Sequence, residues 1–310
     1  MSTTPTSPDV VDMSTMPCDL RVVEAEKRYG DFTLGPLTMS VPRGTIVGLI
    51  GQNGAGKTTL MKSIMGVTLL ESGHVELFGR DVSGLTDREV AELKGRIGYV
   101  SAVCAYPQGM TVREVARMHS LAYPQFDQGR FEELATQMGL LPTSATKKVK
   151  DLSRGMGMKL QLCCALAVGV SLLVMDEPTA GLDPIVREEV LDIIRTWMED
   201  ESRSALISSH ITSDLDRLAD YLVLIDNGHV LMTCERDAVA EMGVARLRSA
   251  ELERVLADGF VANPHVLRHD LNLDLLVPDR LAFNRAYPDY ICDPATIDDV
   301  MVLLVKGEVR

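Results

Sequence analysis

Gly51, Gln52, Asn53, Gly54, Ala55, Gly56, Lys57, Thr58 and Thr59 make a glycine-rich stretch that ends in a lysine and two hydroxyl residues. Residues of these types at this spacing bind phosphate. Glycines let backbone N–H groups turn inward, and the positive end of a following helix adds to their field. Lys57 is spaced to reach the β- and γ-phosphates of a nucleoside triphosphate, and Thr58 to offer its hydroxyl to Mg²⁺. Asp176 and Glu177 close the apolar run 171–175. A carboxylate at the end of such a strand, in a chain that also carries a phosphate loop, is the expected Mg²⁺-side residue. Glu177 beside it has the chemistry to accept a proton from an attacking water, or to orient it. His210 ends the run 205–209 and is a candidate γ-phosphate contact at the carboxyl edge of a sheet. A glycine turn and a solvated acidic pair are the plainer readings. The strand in front of the loop and the strand-stopping Pro178 weigh against both.

These side chains need strands and helices to hold them. Residues 45–50 are β-rich and apolar, and residues 60–66 read as a helix closed by Gly66. Two short β-like segments flank Tyr29, Gly30 and Asp31 between residues 20 and 41, and further strands are predicted over 74–78 and 96–100. Thr111 and Glu114 form a capping box for a helix reaching about residue 121. Asp127 caps a second, in which Phe131, Leu134, Ala135 and Met138 share a face and Gly139 ends it. Another helix opens after residues 151–156 and carries Leu160, Cys164 and Ala167. A turn-rich loop over 178–184 precedes a helix through Trp197. Asn227-Gly228 between two apolar runs predicts a hairpin, and Thr296 with Asp298 and Asp299 caps a last helix over 297–305.

The 310 residues are 46% hydrophobic and 24% charged, enough for one large domain and a smaller one. A net charge of -13 argues against a general nucleic-acid binder. The six cysteines form neither a C-x-x-C pair nor a histidine cluster at metal spacing, so no zinc site and a reducing cytosol are expected. Residues 1–17 are rich in Ser, Thr and Pro, without a basic and apolar leader, and are expected to be a disordered tail. The longest apolar stretch, 163–175, is too short for a bilayer span, so a soluble protein is expected, reaching a membrane only through a partner.

Taken in order, these motifs resemble the nucleotide-binding subunit of an ABC (ATP-binding cassette) transporter across residues 20–234. Tyr29 matches the aromatic A-loop, residues 51–59 Walker A, residues 152–156 the signature and residues 172–176 Walker B. Glu177 matches the catalytic glutamate, residues 180–183 the D-loop and His210 the switch histidine. The resemblance implies an α/β fold: a P-loop ABC-type nucleotide-binding domain over 18–234 with an antiparallel β subdomain and a helical insertion over about 102–160. Residues 235–310 form a small C-terminal α/β extension, similar to those of cassettes that partner ABC-2-type exporters. ATP and Mg²⁺ are the implied cofactors, the metal held by Thr58 and Asp176. A head-to-tail homodimer is implied, each ATP lying between Walker A with Asp183 and the Ser153, Arg154 and Gly155 of the other subunit. The site would then hydrolyse ATP to power export through a separately encoded permease, from the inner face of the cell membrane. A soluble ABC-type ATPase or a nucleotide-gated regulator acting on a macromolecular partner is the alternative.

Two positions depart from the family pattern. Arg154 and Met156 stand where glycine and glutamine are usual. Ala102 stands where the Q-loop glutamine is expected after the strand 97–100, with Gln108 further along as a substitute.

Overall fold

The computed structural model describes residue 11, residues 13–270 and residues 272–309. At its centre is a six-stranded sheet in the order His229–Glu235, Tyr221–Asp226, Ile46–Ile50, Ser204–Ser209, Leu172–Asp176, Ile97–Val100. The last five are mutually parallel, and only the hairpin strand His229–Glu235 runs against its neighbour. Strands Ile46–Ile50, Leu172–Asp176 and Ser204–Ser209 are buried at every residue. Both faces of the sheet are covered, which is why these strands read as unbroken apolar runs with no polar alternation.

The two faces feed two cores. Val47, Leu49, Leu172 and Val174 point toward a four-stranded antiparallel sheet, Phe32–Pro42, Cys18–Tyr29, Ser72–Leu77 and Arg80–Asp81. Ile46, Ile50, Leu173 and Met175 point the other way, into the helices. Val112–Ala122 and Gln128–Gln137 are the helices of the expected insertion, and Thr111 and Asp127 cap them as their sequences predict. Helices of this length are marginal alone in water. A side-chain cap contributes about 1 kcal/mol. Burying Phe131 or Leu134 contributes roughly 1.5–3 kcal/mol each, so packing on Arg154–Ala167 outweighs capping in holding the insertion.

The expected disordered tail, residues 1–17, falls only partly among the described residues. Residues 1–10 and 12 lie outside the described residues, but Met13–Thr15 form a turn of 3-10 helix and Met13 is buried. Val11 N–H donates to Thr233 O and Arg43 N–H to Pro17 O.

Beyond Glu235 a five-stranded antiparallel sheet runs in the order Ile291–Pro294, Gly243–Leu247, Leu273–Val277, His265–Arg268, Glu308–Val309. Helices Ser249–Ala257 and Arg280–Ala286 cover one face through Leu252, Val255 and Phe283. Ile297–Lys306 covers the other, where Val244, Leu276, Val300 and Leu303 merge with the helical core of the first unit.

Candidate active site

Four parallel strands end together, and the register brings Ile50 opposite Ser209 and Asp176 opposite Ser208. The loop 51–56 leaves the first of these ends and turns into helix Lys57–Ile64. Gly56 makes that turn at a φ of +110°, a region closed to most side chains, and a Cβ there would start 3.0 Å from Leu34 Cδ1. No side chain caps this helix, so its first N–H groups face the loop. The hairpin turn at Asn227 and Gly228 braces the loop from behind, with Gly228 N–H donating to Ala55 O at 2.9 Å.

Lys57 is 6% exposed, and its Nζ donates to Gly51 O at 2.7 Å and to Gln52 O at 3.3 Å. The same Nζ lies 3.3 Å from Glu177 Oε1. Burial strengthens that attraction relative to a surface pair. Thr58 Oγ1 donates to Asp176 Oδ2 at 2.7 Å, and Ser208 Oγ donates to Asp176 Oδ1 at 2.7 Å. Glu177 adopts a φ of +51°, uncommon for a residue with a side chain. Its N–H is held by Ser208 Oγ at 3.0 Å, and its Oε2 lies 2.6 Å from His210 Nδ1. Lysine, hydroxyl, two carboxylates and imidazole are thus joined in one chain of contacts. The uncapped helix and buried lysine offer donors for an anionic phosphate group. The Thr58–Asp176 oxygen pair offers the hard ligands that Mg²⁺ takes together with phosphate oxygens.

The remaining predicted residues sit elsewhere. Gln52 and Asn53 are exposed, Ala55 is buried, and Thr59 lies on the first turn of the helix. Tyr29 ends its strand 46% exposed and donates to Thr68 Oγ1 at 3.1 Å. Another aromatic, Phe32, packs against the phosphate loop, its Cζ lying 3.1 Å from where a Cβ on Gly56 would stand. Ser153 Oγ caps helix Arg154–Ala167 by accepting from Met156 N–H. Arg154 lays its guanidinium on the D-loop: a side chain at Gly181 would begin 2.7 Å from Arg154 Nη1. A side chain at Gly155 would begin 2.9 Å from Val186 of the next helix and 3.7 Å from Leu182 Cδ2. In their own chain, then, Arg154 and Gly155 neighbour the D-loop and the helix after it. Asp183 caps helix Pro184–Trp197, accepting from Ile185 and Val186 N–H at 3.1 Å.

Sequence reasoning missed Ser208 and Gln161. Ser208 looks like any strand serine until its register against Asp176 is known. Gln161 is 5% exposed; its Oε1 accepts from Ser101 Oγ at 2.9 Å and its Nε2 donates to Ser101 O at 3.1 Å, pinning the residue before Ala102. A lone glutamine inside the apolar run 160–167 was the available signal. Gln108 is exposed in a separate turn, with its backbone O accepting from Lys150.

Comparison with known proteins follows the same lines. The family model described as ABC transporter matches residues 34–180. The daunorubicin resistance ATP-binding protein DrrA3 of Streptomyces coeruleorubidus is 34% identical over 229 residues, covering 72% of this chain and 70% of that protein. A bacitracin transport ATP-binding protein of Bacillus licheniformis is 32% identical over 71% of this chain and 69% of its own length. A Nod factor export ATP-binding protein of Ralstonia nicotianae is 30% identical and spans 94% of this chain and 95% of its own length, including the region beyond residue 235. Among solved structures, an ATP-binding subunit of an ABC transporter superposes with a TM-score of 0.63 at 25% identity, over 77% of this chain and 98% of that one. A dimeric ATP-binding cassette holding ADP and Pi has the same fold, with a TM-score of 0.63 at 20% identity over 70% of this chain and 98% of its own. A triphosphate loop, a Walker B pair and relatives of this kind leave one conclusion: the chain belongs to the ABC transporter family, as one of its ATP-binding, ATP-hydrolysing subunits.

Proposed function

We propose that this subunit drives export through an ABC-2-type permease on a separate chain, working as a head-to-tail homodimer at the inner face of the cell membrane. The observation that carries the reading is the convergence of Lys57, Thr58, Asp176, Glu177 and His210 at the ends of adjacent strands. In this reading Lys57 and the loop N–H groups take the phosphates, and Thr58 and Asp176 hold Mg²⁺. The cation neutralises phosphate charge when bound. Glu177 orients or deprotonates the attacking water, and His210 contacts the γ-phosphate while holding Glu177. Tyr29 stacks on the base. Ser153, Arg154 and Gly155 complete the partner's site, and Asp183 shapes the same interface. Residues 18–234 form the cassette, with its insertion over about 102–160, and 235–310 the extension.

Export is supported by the relatives, whose names include drug resistance, bacitracin transport and Nod factor export. Among the described residues no helix is long and apolar enough to cross a membrane, and in this reading the permease supplies the path. A cleft of about 820 Å³ between helix Asp87–Lys94, strand Ile97–Val100 and the insertion suits a permease helix. Tyr106 lines this cleft; Met110 lines a shallower cleft alongside with Met118 and Leu121, and Val103 and Ala105 are exposed at the surface. Ala122 is exposed and lines both clefts, so an aspartate there disturbs no core. Ala122→Asp should leave ATP turnover of the free subunit unchanged and abolish its co-purification with membranes containing the permease. Undiminished membrane capture would place the permease elsewhere.

A further inference from the structure

Two loops carry the proposed water-activating pair, one leaving strand Leu172–Asp176 at Glu177, the other leaving Ser204–Ser209 at His210. They are cross-linked twice. The first link is the pair itself, Glu177 Oε2 to His210 Nδ1 at 2.6 Å. The second lies two residues past Glu177 and four past His210: Thr179 Oγ1 donates to Asp214 Oδ2. Asp214 is 2% exposed, and Thr179 is 1% exposed. The other carboxylate oxygen, Oδ1, accepts from Arg187 Nε at 2.6 Å, while Arg187 Nη2 donates to Ser213 Oγ at 2.7 Å.

We propose that Asp214 is a positioning residue for ATP hydrolysis, clamping the loop after Glu177 and the helix after His210 into one rigid unit. The inference rests on the reading of Glu177 and His210 as the residues that place the water. Three elements meet at this carboxylate: the turn after Glu177 through Thr179, helix Pro184–Trp197 through Arg187, and helix Thr212–Leu218, on which Asp214 stands. A charged group is seldom buried this deeply without a compensating cation and hydrogen bonds, and here both oxygens are engaged. The backbone gives the clamp something to hold. Glu177 sits at positive φ, a conformation that persists only where its surroundings fix it. From the strand side Ser208 fixes its N–H. On the loop side the turn closes with Ala180 N–H donating to Glu177 O, and Thr179 inside that turn is the residue tied to Asp214. Releasing Thr179 frees Glu177 to relax away from His210, while the phosphate loop, which shares no hydrogen bond with Thr179 or Asp214, keeps its shape.

The prediction separates binding from turnover. In the full-length protein, Thr179→Val keeps the shape of the side chain and deletes the donor. Turnover should fall about tenfold to a hundredfold, while affinity for a non-hydrolysable ATP analogue stays within about twofold and the melting temperature shows a folded protein. Thr179→Ser, which retains the hydroxyl, should restore turnover, and the ¹⁵N resonance of His210 Nδ1 should shift in the valine variant but not in the serine variant. Asp214→Asn and Arg187→Met test the same clamp from its other members. Glu177→Gln is the control for the underlying reading. If it turns over ATP normally, the role of Glu177 fails and the clamp with it. If Glu177→Gln is inactive while Thr179→Val keeps wild-type turnover and an unmoved His210 resonance, the clamp alone is overturned. A parallel loss of nucleotide affinity and turnover in Thr179→Val would also overturn it, since that is the mark of a merely structural contact.

Discussion

Ala102 sets the chemistry of this cassette apart at the scale of one residue. A methyl group supplies neither donor nor acceptor where the family pattern has an amide. The backbone there is nonetheless fixed: Ser101 bonds to the buried Gln161 through its hydroxyl and its carbonyl, and its hydroxyl also reaches Val103 O at 2.6 Å. The base of the loop is therefore anchored, while position 102 itself offers no polar group. Misplacing reacting groups costs on the order of a hundredfold in rate. Ala102→Gln, grafted on this anchored backbone, should raise the basal ATPase of the isolated subunit and reduce its stimulation by the permease. If turnover is unchanged and Gln108→Ala is crippled instead, the amide comes from Gln108. Part of this was legible from sequence and part was not. Lys57, Thr58, Asp176 and Glu177 announce themselves by type and spacing, because phosphate and metal chemistry admit few substitutes. Gln161, Ser208, Thr179 and Asp214 do not, because their partners are 31 to 60 residues away and only the folded register reveals them.

Among the elements, the insertion helices show how local and long-range signals divide. Their caps at Thr111 and Asp127 lie within four residues of what they cap and were readable directly. What the helices enclose was not. His119 packs edge-on against Tyr106 with ring centroids 5.4 Å apart and stacks on Tyr123 at 5.6 Å, forming an aromatic wall of the large cleft. Burial lowers its imidazole pKa below the ordinary value near 6.5. Arg88, Glu92 and Lys94 on the opposite wall carry the cleft's other charges. The sign follows from linkage: with the folded pKa depressed, the unfolded chain binds the extra proton first. Stability is therefore undiminished above about pH 6.5 and falls as pH drops through the unfolded value. His119→Phe keeps the aromatic packing and removes the proton site. The variant should lose less melting temperature than wild type between about pH 7 and pH 5.5. Identical slopes would mean that His119 is not part of the acid response.

For the whole molecule, the extension beyond Glu235 is no separate appendage. Its last helix, Ile297–Lys306, shares a core with Leu215 and Leu218 of the helix that begins two residues after His210. The division at residue 234 follows the reach of the family resemblance, and motifs along the chain cannot report that Val300 and Leu303 pack back across it. The same limit applies to the site. Its cis half was legible as a series of motifs, whereas the half that Ser153, Arg154 and Gly155 are proposed to supply depends on a second copy. Arg154 and Gly155 lie beside Gly181 and Val186, next to the D-loop. A composite site makes a stoichiometric prediction. Lys57→Ala removes the phosphate contact in cis, and Ser153→Ala removes the donor in trans, so each homodimer has two damaged sites. In a head-to-tail heterodimer of the two variants, one site collects both lesions and the other has none. Mixing at equal ratio should form heterodimers in about half of all dimers, each with one intact site. Turnover should then recover to roughly a quarter of the wild-type rate per subunit if that site works alone, as random pairing dictates when activity follows mass action. Side-by-side sites built within one chain would instead remain damaged in every pairing, so proven heterodimers without recovery would exclude the shared site.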